Sequence, residues 1–215
     1  MQTNDLKLLQ NLKTATLSMG WFWSPDAKFG IVDGVIRTRV GYCGGTTINP
    51  NYKNIGDHAE TLEFDYDGNK ITYEEIINGF WDSHTPENRT GNPQYRSIIF
   101  YRTEEEKIIA EKSKRDFENS LNIKFNTEIV PLNKFYLAEN YHQKFYLQRA
   151  SILMKELSFK YSNFKDFIDS PLTCKLNGYC RGYGTIEMLK NNIDEFSLNE
   201  MSKRALIDIV EGYGI

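Results

Sequence analysis

Three thiols, Cys43, Cys174 and Cys180, carry most of the latent chemistry of this chain. Cys43 lies in Gly41-Tyr42-Cys43-Gly44-Gly45, where glycines let backbone approach a bound molecule and turn N–H groups towards a thiolate. Cys174 and Cys180 belong to a Pro- and Gly-containing stretch, Ser170 to Gly184. One attacking thiolate with one or two resolving thiols suffices to make a sulfenic acid, convert it to a disulfide and pass that on. The competing reading makes each cysteine a small buried apolar residue. Three cysteines form no disulfide framework, and the absence of a Cys-x-x-Cys pair leaves no zinc pattern, so no metal or organic cofactor is expected. His58 and His142 have no nucleophile beside them that would suggest a triad.

The frame that must hold these groups is of ordinary composition. The 215 residues fit one domain, or one domain with an extension, and can bury a substantial core. Lys and Arg number 26 against 29 Asp and Glu, a formal net charge of -3, so neither nucleic acid nor an anionic membrane is an expected partner. Met1 to Thr16 scatter charges among leucines, and no later apolar run approaches ~18 residues. A cytoplasmic protein with reduced thiols is the expectation.

Lys13 to Met19 and Val35 to Val40 are β-rich runs leading into glycine, and Ser24-Pro25-Asp26 between them has helix-start chemistry. Glu60 to Tyr66 alternates Leu62, Phe64 and Tyr66 with Thr61, Glu63 and Asp65, a half-buried strand, and Asp67-Gly68-Asn69 turns it. Thr72 and Glu75 form a capping box for a helix to Ser83. A strand over Arg96 to Tyr101, an amphipathic helix over Thr103 to Asn119 and a last strand over Asn126 to Leu132 follow. The order favours an α+β sandwich over a doubly wound sheet. The chain divides into residues 1–150 and a C-terminal extension, 151–215, that carries the Cys174/Cys180 segment and a helix pair around Ile186 to Ile193 and Asn199 to Val210.

Several co-linear motifs resemble peptide methionine sulfoxide reductase type A. They are Gly20-Trp21-Phe22-Trp23, Gly41 to Gly45, Asn49-Pro50-Asn51-Tyr52, Gly56-Asp57-His58-Ala59-Glu60, Phe80-Trp81 with His84, Pro93-Gln94-Tyr95-Arg96-Ser97 and Ala138-Glu139-Asn140-Tyr141-His142-Gln143. The resemblance spans Ala15 to Gln148 and implies a ferredoxin-like two-layer sandwich with a helical or irregular tail. Its chemistry is attack of a thiolate on a sulfoxide sulfur while an acid and neutral hydroxyls assist loss of the oxygen. The resemblance gives Phe22 and Trp23 to the apolar wall for the substrate methyl, Tyr52 and Tyr95 to the hydroxyl donors and Asp26 to the acid. Trp21 and His84 join the substrate-binding set, and the C-terminal cysteines are resolvers, Cys180 ahead of Cys174. His58 and Glu60 are read as ordering the loop before a strand, and His142 as satisfying polar groups on a helix.

Two departures stand out. Trp21 occupies the place of the family's attacking cysteine, and Thr85 replaces the aspartate of a His-Asp-Pro motif. The first reading moves the nucleophile to Cys43, with methionine sulfoxide in peptides or a small sulfoxide as substrate and thioredoxin or a small thiol as reductant. The alternatives are a catalytically silent aromatic binding pocket, or Cys43-dependent chemistry on another sulfur-containing substrate.

Overall fold

Alternation at Leu62, Phe64 and Tyr66 becomes the inner face of the central strand in the computed structural model, which describes residues 11–86 and 91–214. Six strands, β1 (Leu12–Met19), β2 (Val35–Cys43), β3 (Ala59–Asp67), β4 (Ser97–Tyr101), β5 (Glu128–Pro131) and β6 (Tyr136–Leu137), form one sheet in the order β5-β4-β1-β3-β2-β6. β1 and β2 both run antiparallel to β3, which lies between them, so the helix joining them makes a split crossover. That helix, α1 (Trp23–Gly30), and α2 (Tyr73–Trp81) share an apolar core with Leu17, Val40, Leu62 and Phe64. The ferredoxin-like α+β sandwich is thus the observed core, with β5 parallel to β4 and β6 pairing with β2 at the two edges.

The outer face of β3 is also buried, and it is polar. Asp65 accepts from Thr14 and Arg37 at 2.7 and 2.6 Å, while Glu63 receives Arg39 and Arg102, each at 2.7 Å. Mutual pairing of these carboxylates and guanidiniums makes the burial tolerable. The capping box is present: Thr72 Oγ1 accepts the Glu75 N–H at 3.2 Å, and the Thr72 N–H donates to Glu75 Oε2 at 2.8 Å. Thr103 caps α3 (Glu104–Leu121) by accepting the Glu106 N–H, and Asn122, with φ +53°, closes it.

The C-terminal part is more ordered than its composition suggests. Helices α4 (Ser151–Lys160), α5 (Phe164–Ile168), α6 (Pro171–Arg181), α7 (Ile186–Asn192) and α8 (Glu200–Gly212) surround a second apolar cluster that includes Leu153, Leu157, Leu176, Leu206 and Val210. The stretch expected to bear resolving thiols is mostly α6. Its serine, proline and glycine are caps: Ser170 accepts from the Leu172 and Thr173 N–H groups, Pro171 opens the helix, and Gly182 at φ +82° ends it. Helices α1 and α6 meet through glycines, since a Cβ on Gly30 would lie 2.6 Å from the Cys174 carbonyl oxygen and one on Gly178 2.8 Å from that of Ala27. Among the described residues, no helix is long and apolar enough to cross a membrane.

Candidate active site

The strand period that buries Leu62 and Phe64 also turns Glu60 inwards, at the end of β3 opposite Tyr42. Glu60 is 4% exposed; its Oε2 accepts the backbone N–H of Phe22 at 3.0 Å and its Oε1 accepts from Nε2 of Gln94 at 2.7 Å. Burial raises its pKa, and these two hydrogen bonds only partly oppose the shift. A carboxyl held so is biased to keep its proton.

An aromatic cup stands around this acid. The exposed Trp21 packs edge-on against Trp23, with centroids 6.1 Å apart, and lies 5.9 Å from the ring of Tyr95. Trp23 is fixed from two directions: it stacks on Phe145 at 3.7 Å, and its indole N–H donates to His142 Nδ1 at 3.2 Å. Burial lowers the pKa of His142 against the opposing pull of Glu139, which keeps the ring neutral and Nδ1 able to accept. Tyr52 lies against His142 at 4.6 Å, and Glu139 joins the two sides by accepting from the Tyr52 N–H at 2.9 Å and the Tyr42 hydroxyl at 2.7 Å. Burial and the nearby Glu60 raise the Tyr95 phenol above its ordinary value, so it too remains a donor. An acid biased towards its protonated form, phenol donors and an indole wall can grip a polar oxygen while packing a methyl group.

Trp21, Phe22, Trp23, Tyr52 and Tyr95 lie together around the cup, whereas five other residues named from the sequence lie elsewhere. Cys43 is a correction. Sequence reading ends the strand at Val40, but β2 continues to Cys43, and Tyr42 faces the inner core beside Phe22. One further residue reverses the side, so Cys43 faces outwards with Ala59, Ile98 and Phe100, fully buried, its thiol donating to the Lys134 carbonyl at 3.2 Å. Burial pushes its pKa up to about 12, leaving a protonated thiol on the wrong face of the sheet. Cys43→Ser is accordingly expected to leave sulfoxide turnover within about twofold, and the native thiol to resist alkylation until the protein unfolds. Loss of turnover with the fold intact, followed by circular dichroism, would restore Cys43 to the mechanism.

Asp26 is the second correction. It is fully buried beneath α1, away from the cup, and accepts from the Thr38 hydroxyl, from Lys144 Nζ at 3.1 Å and N at 3.2 Å, and from Asn177 Nδ2 at 3.0 Å. Lys144, also fully buried, donates to the Thr38 carbonyl and hydroxyl at 2.5 and 2.8 Å. This ion pair ties α1, β2 and α6 together. Asp26→Asn would strand the ammonium, so a loss of about 3–5 kcal/mol in urea unfolding is expected. A loss below about 1 kcal/mol would show that the pair is not structural.

Cys174 and Cys180 sit on different faces of α6. The former contacts Thr38 and Gly30 at 3.5 and 3.6 Å, while the latter lies in the second apolar cluster, where burial pushes its thiol up to about 12. Neither borders the cup. His84 is spent on the frame, with its ring nitrogens on the Phe80 carbonyl at 3.0 Å and Ser97 Oγ at 2.6 Å. Glu60, Gln94, Glu139 and His142 are the groups that sequence reading places elsewhere or leaves unassigned. The signal for Glu60 is the period-2 register that it shares with Leu62, Phe64 and Tyr66.

A split βαββαβ sandwich with a sealed carboxylic acid under a phenol-lined aromatic cup is the build of an oxidoreductase acting on an oxidised sulfur group. The chain belongs to the peptide methionine sulfoxide reductase family: the model of that family, described as "Peptide methionine sulfoxide reductase", matches residues 13–170. Curated relatives include a peptide methionine sulfoxide reductase of Drosophila melanogaster, 39% identical over 89% of this chain and 77% of that protein. Peptide methionine sulfoxide reductase A5 of Arabidopsis thaliana is 40% identical over 78% of this chain and 68% of its own length. Among solved structures, reduced Mxr1 of Saccharomyces cerevisiae superposes with a TM-score of 0.58 at 28% identity, covering 65% of this chain and 86% of that one. Methionine sulfoxide reductase A of Corynebacterium diphtheriae gives 0.57 at 29% identity, covering 65% and 75%.

Proposed function

We propose that the cup receives the sulfoxide of a methionine sulfoxide side chain, in a peptide or free, and that Glu60, not Asp26, is the acid that serves it. The observation that carries this reading is the Glu60 carboxyl: buried, raised in pKa and fixed by Gln94 and by the N–H of Phe22, the residue that follows Trp21. The sulfoxide oxygen lies over Glu60 with Tyr95 and Tyr52 as further donors, and the methyl packs on Phe22 and Trp23.

Reduction draws on thiols from outside the chain, a small dithiol or a thioredoxin-like protein, because Cys43, Cys174 and Cys180 are all buried away from the cup. In this scheme an external thiol sulfur bonds to the sulfoxide sulfur as the S–O bond breaks. The oxygen leaves as water, taking one proton from Glu60 and one from the thiol. A second thiol then attacks the first thiol's sulfur, giving a disulfide and releasing the thioether, while its own proton returns to Glu60. Such a cycle suits a reducing compartment such as the cytoplasm.

The exposed Trp21 indole favours a second reading, recognition without turnover, since none of the three thiols of the chain stands over Glu60. One experiment separates them. Binding of methionine sulfoxide is followed by tryptophan fluorescence, and thioether formation under dithiothreitol by mass spectrometry. Binding with turnover supports the reductase, binding alone the recognition protein, and no quenching at saturating sulfoxide would remove the substrate assignment altogether.

A further inference from the structure

Two arginines flank the aromatic wall of the cup, and among the described residues neither enters an ion pair with a carboxylate, unlike Arg37, Arg39, Arg96 and Arg102. Arg149 lies 3.3 Å over the ring of Phe145, and the same ring stacks on Trp23 at 3.7 Å. One face of a ring cannot carry both, so Phe145 is held between the indole of the cup and the guanidinium. Arg181, the last residue of α6, lies 5.3 Å from the ring of Tyr146, which meets Phe145 edge-on at 5.4 Å and whose hydroxyl bonds Ser24 Oγ at 3.0 Å.

The backbone holds Arg149 in place. It closes the turn Leu147–Arg149, and the N–H groups of Tyr146 and Leu147 both donate to Oδ1 of the buried Asn177 at 3.1 Å. Stacking occupies a face of the guanidinium, whereas its N–H donors lie in the plane. Among the described residues those donors make one hydrogen bond, from Nη1 to the Phe145 carbonyl at 2.9 Å. Arg149 is an exposed residue, so the rest of that edge is open to a carboxylate in the geometry that suits a guanidinium.

Local charge selects the sign of the ligand. The whole chain has a net charge of -3, yet residues 140–155 and 170–186, which supply this edge, contain Lys144, Arg149, Lys155, Lys175 and Arg181 and no Asp or Glu. Lys144 is spent on Asp26 in the core. Of the carboxyls at the cup, Glu60 is biased towards its protonated form, and Glu139 is occupied by the Tyr52 N–H and the Tyr42 hydroxyl. An anion is therefore favoured beside Arg149 and a cation repelled. Two stacking layers separate the guanidinium from Trp23, a span close to the ~7 Å advance of two residues along an extended peptide.

We propose that Arg149, assisted by Arg181, determines specificity by binding an acidic side chain two positions from the methionine sulfoxide of a peptide held in the cup. The inference rests on the substrate proposed for the cup. With the sulfoxide over Glu60, the aspartate or glutamate reaches past Trp23 and Phe145 to the in-plane N–H groups of Arg149. A lysine at the same place in the peptide meets like charge and is rejected.

The test is calorimetric titration of the full chain with pentapeptides, acetylated and amidated at their ends, that carry methionine sulfoxide at the centre and aspartate, asparagine or lysine at one end. One set places the variable residue before the sulfoxide and the other after it. In one set the aspartate peptide is expected to bind at least ~5-fold tighter than the asparagine peptide, with the lysine peptide weakest. That ratio should fall below about twofold in 1 M sodium chloride, where the Debye length is about 3 Å, and in the Arg149→Gln variant, while Arg149→Lys should recover part of it. Arg181→Gln, which leaves the Phe145 stack alone, should lower the ratio as well. Equal binding of aspartate and asparagine peptides in both sets, or a ratio that Arg149→Gln leaves unchanged, would overturn the proposal and leave the cup assignment standing. No binding of any peptide would overturn both. A preference confined to free methionine sulfoxide over its amide would overturn the placement of the carboxylate two residues away.

Discussion

Trp21→Cys is expected to raise dithiol-driven reduction of methionine sulfoxide by at least ~10², the largest gain available from one substitution in this chain. Every supporting group is already assembled. Residue 21 precedes Phe22, whose N–H is bound to Glu60, and stands just before α1, where the helix N-terminus favours a thiolate. A cysteine there would carry its sulfur to the place now filled by the indole and replace an external collision with an attack inside the cup. The expected signature is a single alkylation-sensitive thiol in the native protein, with turnover that saturates in sulfoxide. If the Trp21→Cys variant turned over no faster than wild type although its new thiol reacted fully with an alkylating agent, the cup would not orient a sulfoxide sulfur towards this position.

Glu60→Gln carries the second large effect. In the Trp21→Cys background it should lower the rate by ~10²–10⁴, because glutamine preserves the shape and one hydrogen bond but has no proton to give. The sign with pH follows from burial. The folded carboxyl titrates above the ordinary glutamate value, so its proton is present at low pH and lost as pH rises through the raised pKa. Activity should fall along that limb, and the fall should vanish in the glutamine variant. The same ionisation removes stability as pH rises, since the unfolded chain loses this proton at lower cost. Identical rates and identical pH profiles with and without Glu60→Gln would assign the proton to another group, Tyr95 first.

Legibility from sequence depends on whether a feature is local. The capping box of Thr72 and Glu75, the alternation along Leu62, Phe64 and Tyr66 and the cap of α3 at Thr103 all act within a few residues, and each can be read from the order of residues. The aromatic members of the cup are legible because their motifs are short and co-linear. Cys43 is misplaced by sequence reading for a reason internal to strands: ending β2 at Val40 instead of Cys43 conceals the parity that sends Tyr42 inwards and Cys43 outwards. Asp26 is misplaced because its partners are distant in sequence: Lys144 lies 118 residues away and Asn177 lies 151.

By itself, then, the amino-acid order determined the α+β architecture, the family and the set of aromatic and phenolic side chains available for recognition, because these rest on periodicity and on contiguous motifs. Only the tertiary structure decided which carboxyl lies under the cup, that all three thiols are buried, and that the C-terminal cysteine segment is a packed helix. The physical reason is that proton affinity and nucleophilicity depend on burial and on partners brought in from remote segments. Glu60 and Asp26 are both buried carboxyls, yet one meets two neutral donors under an open cup and the other meets an ammonium in the sealed core.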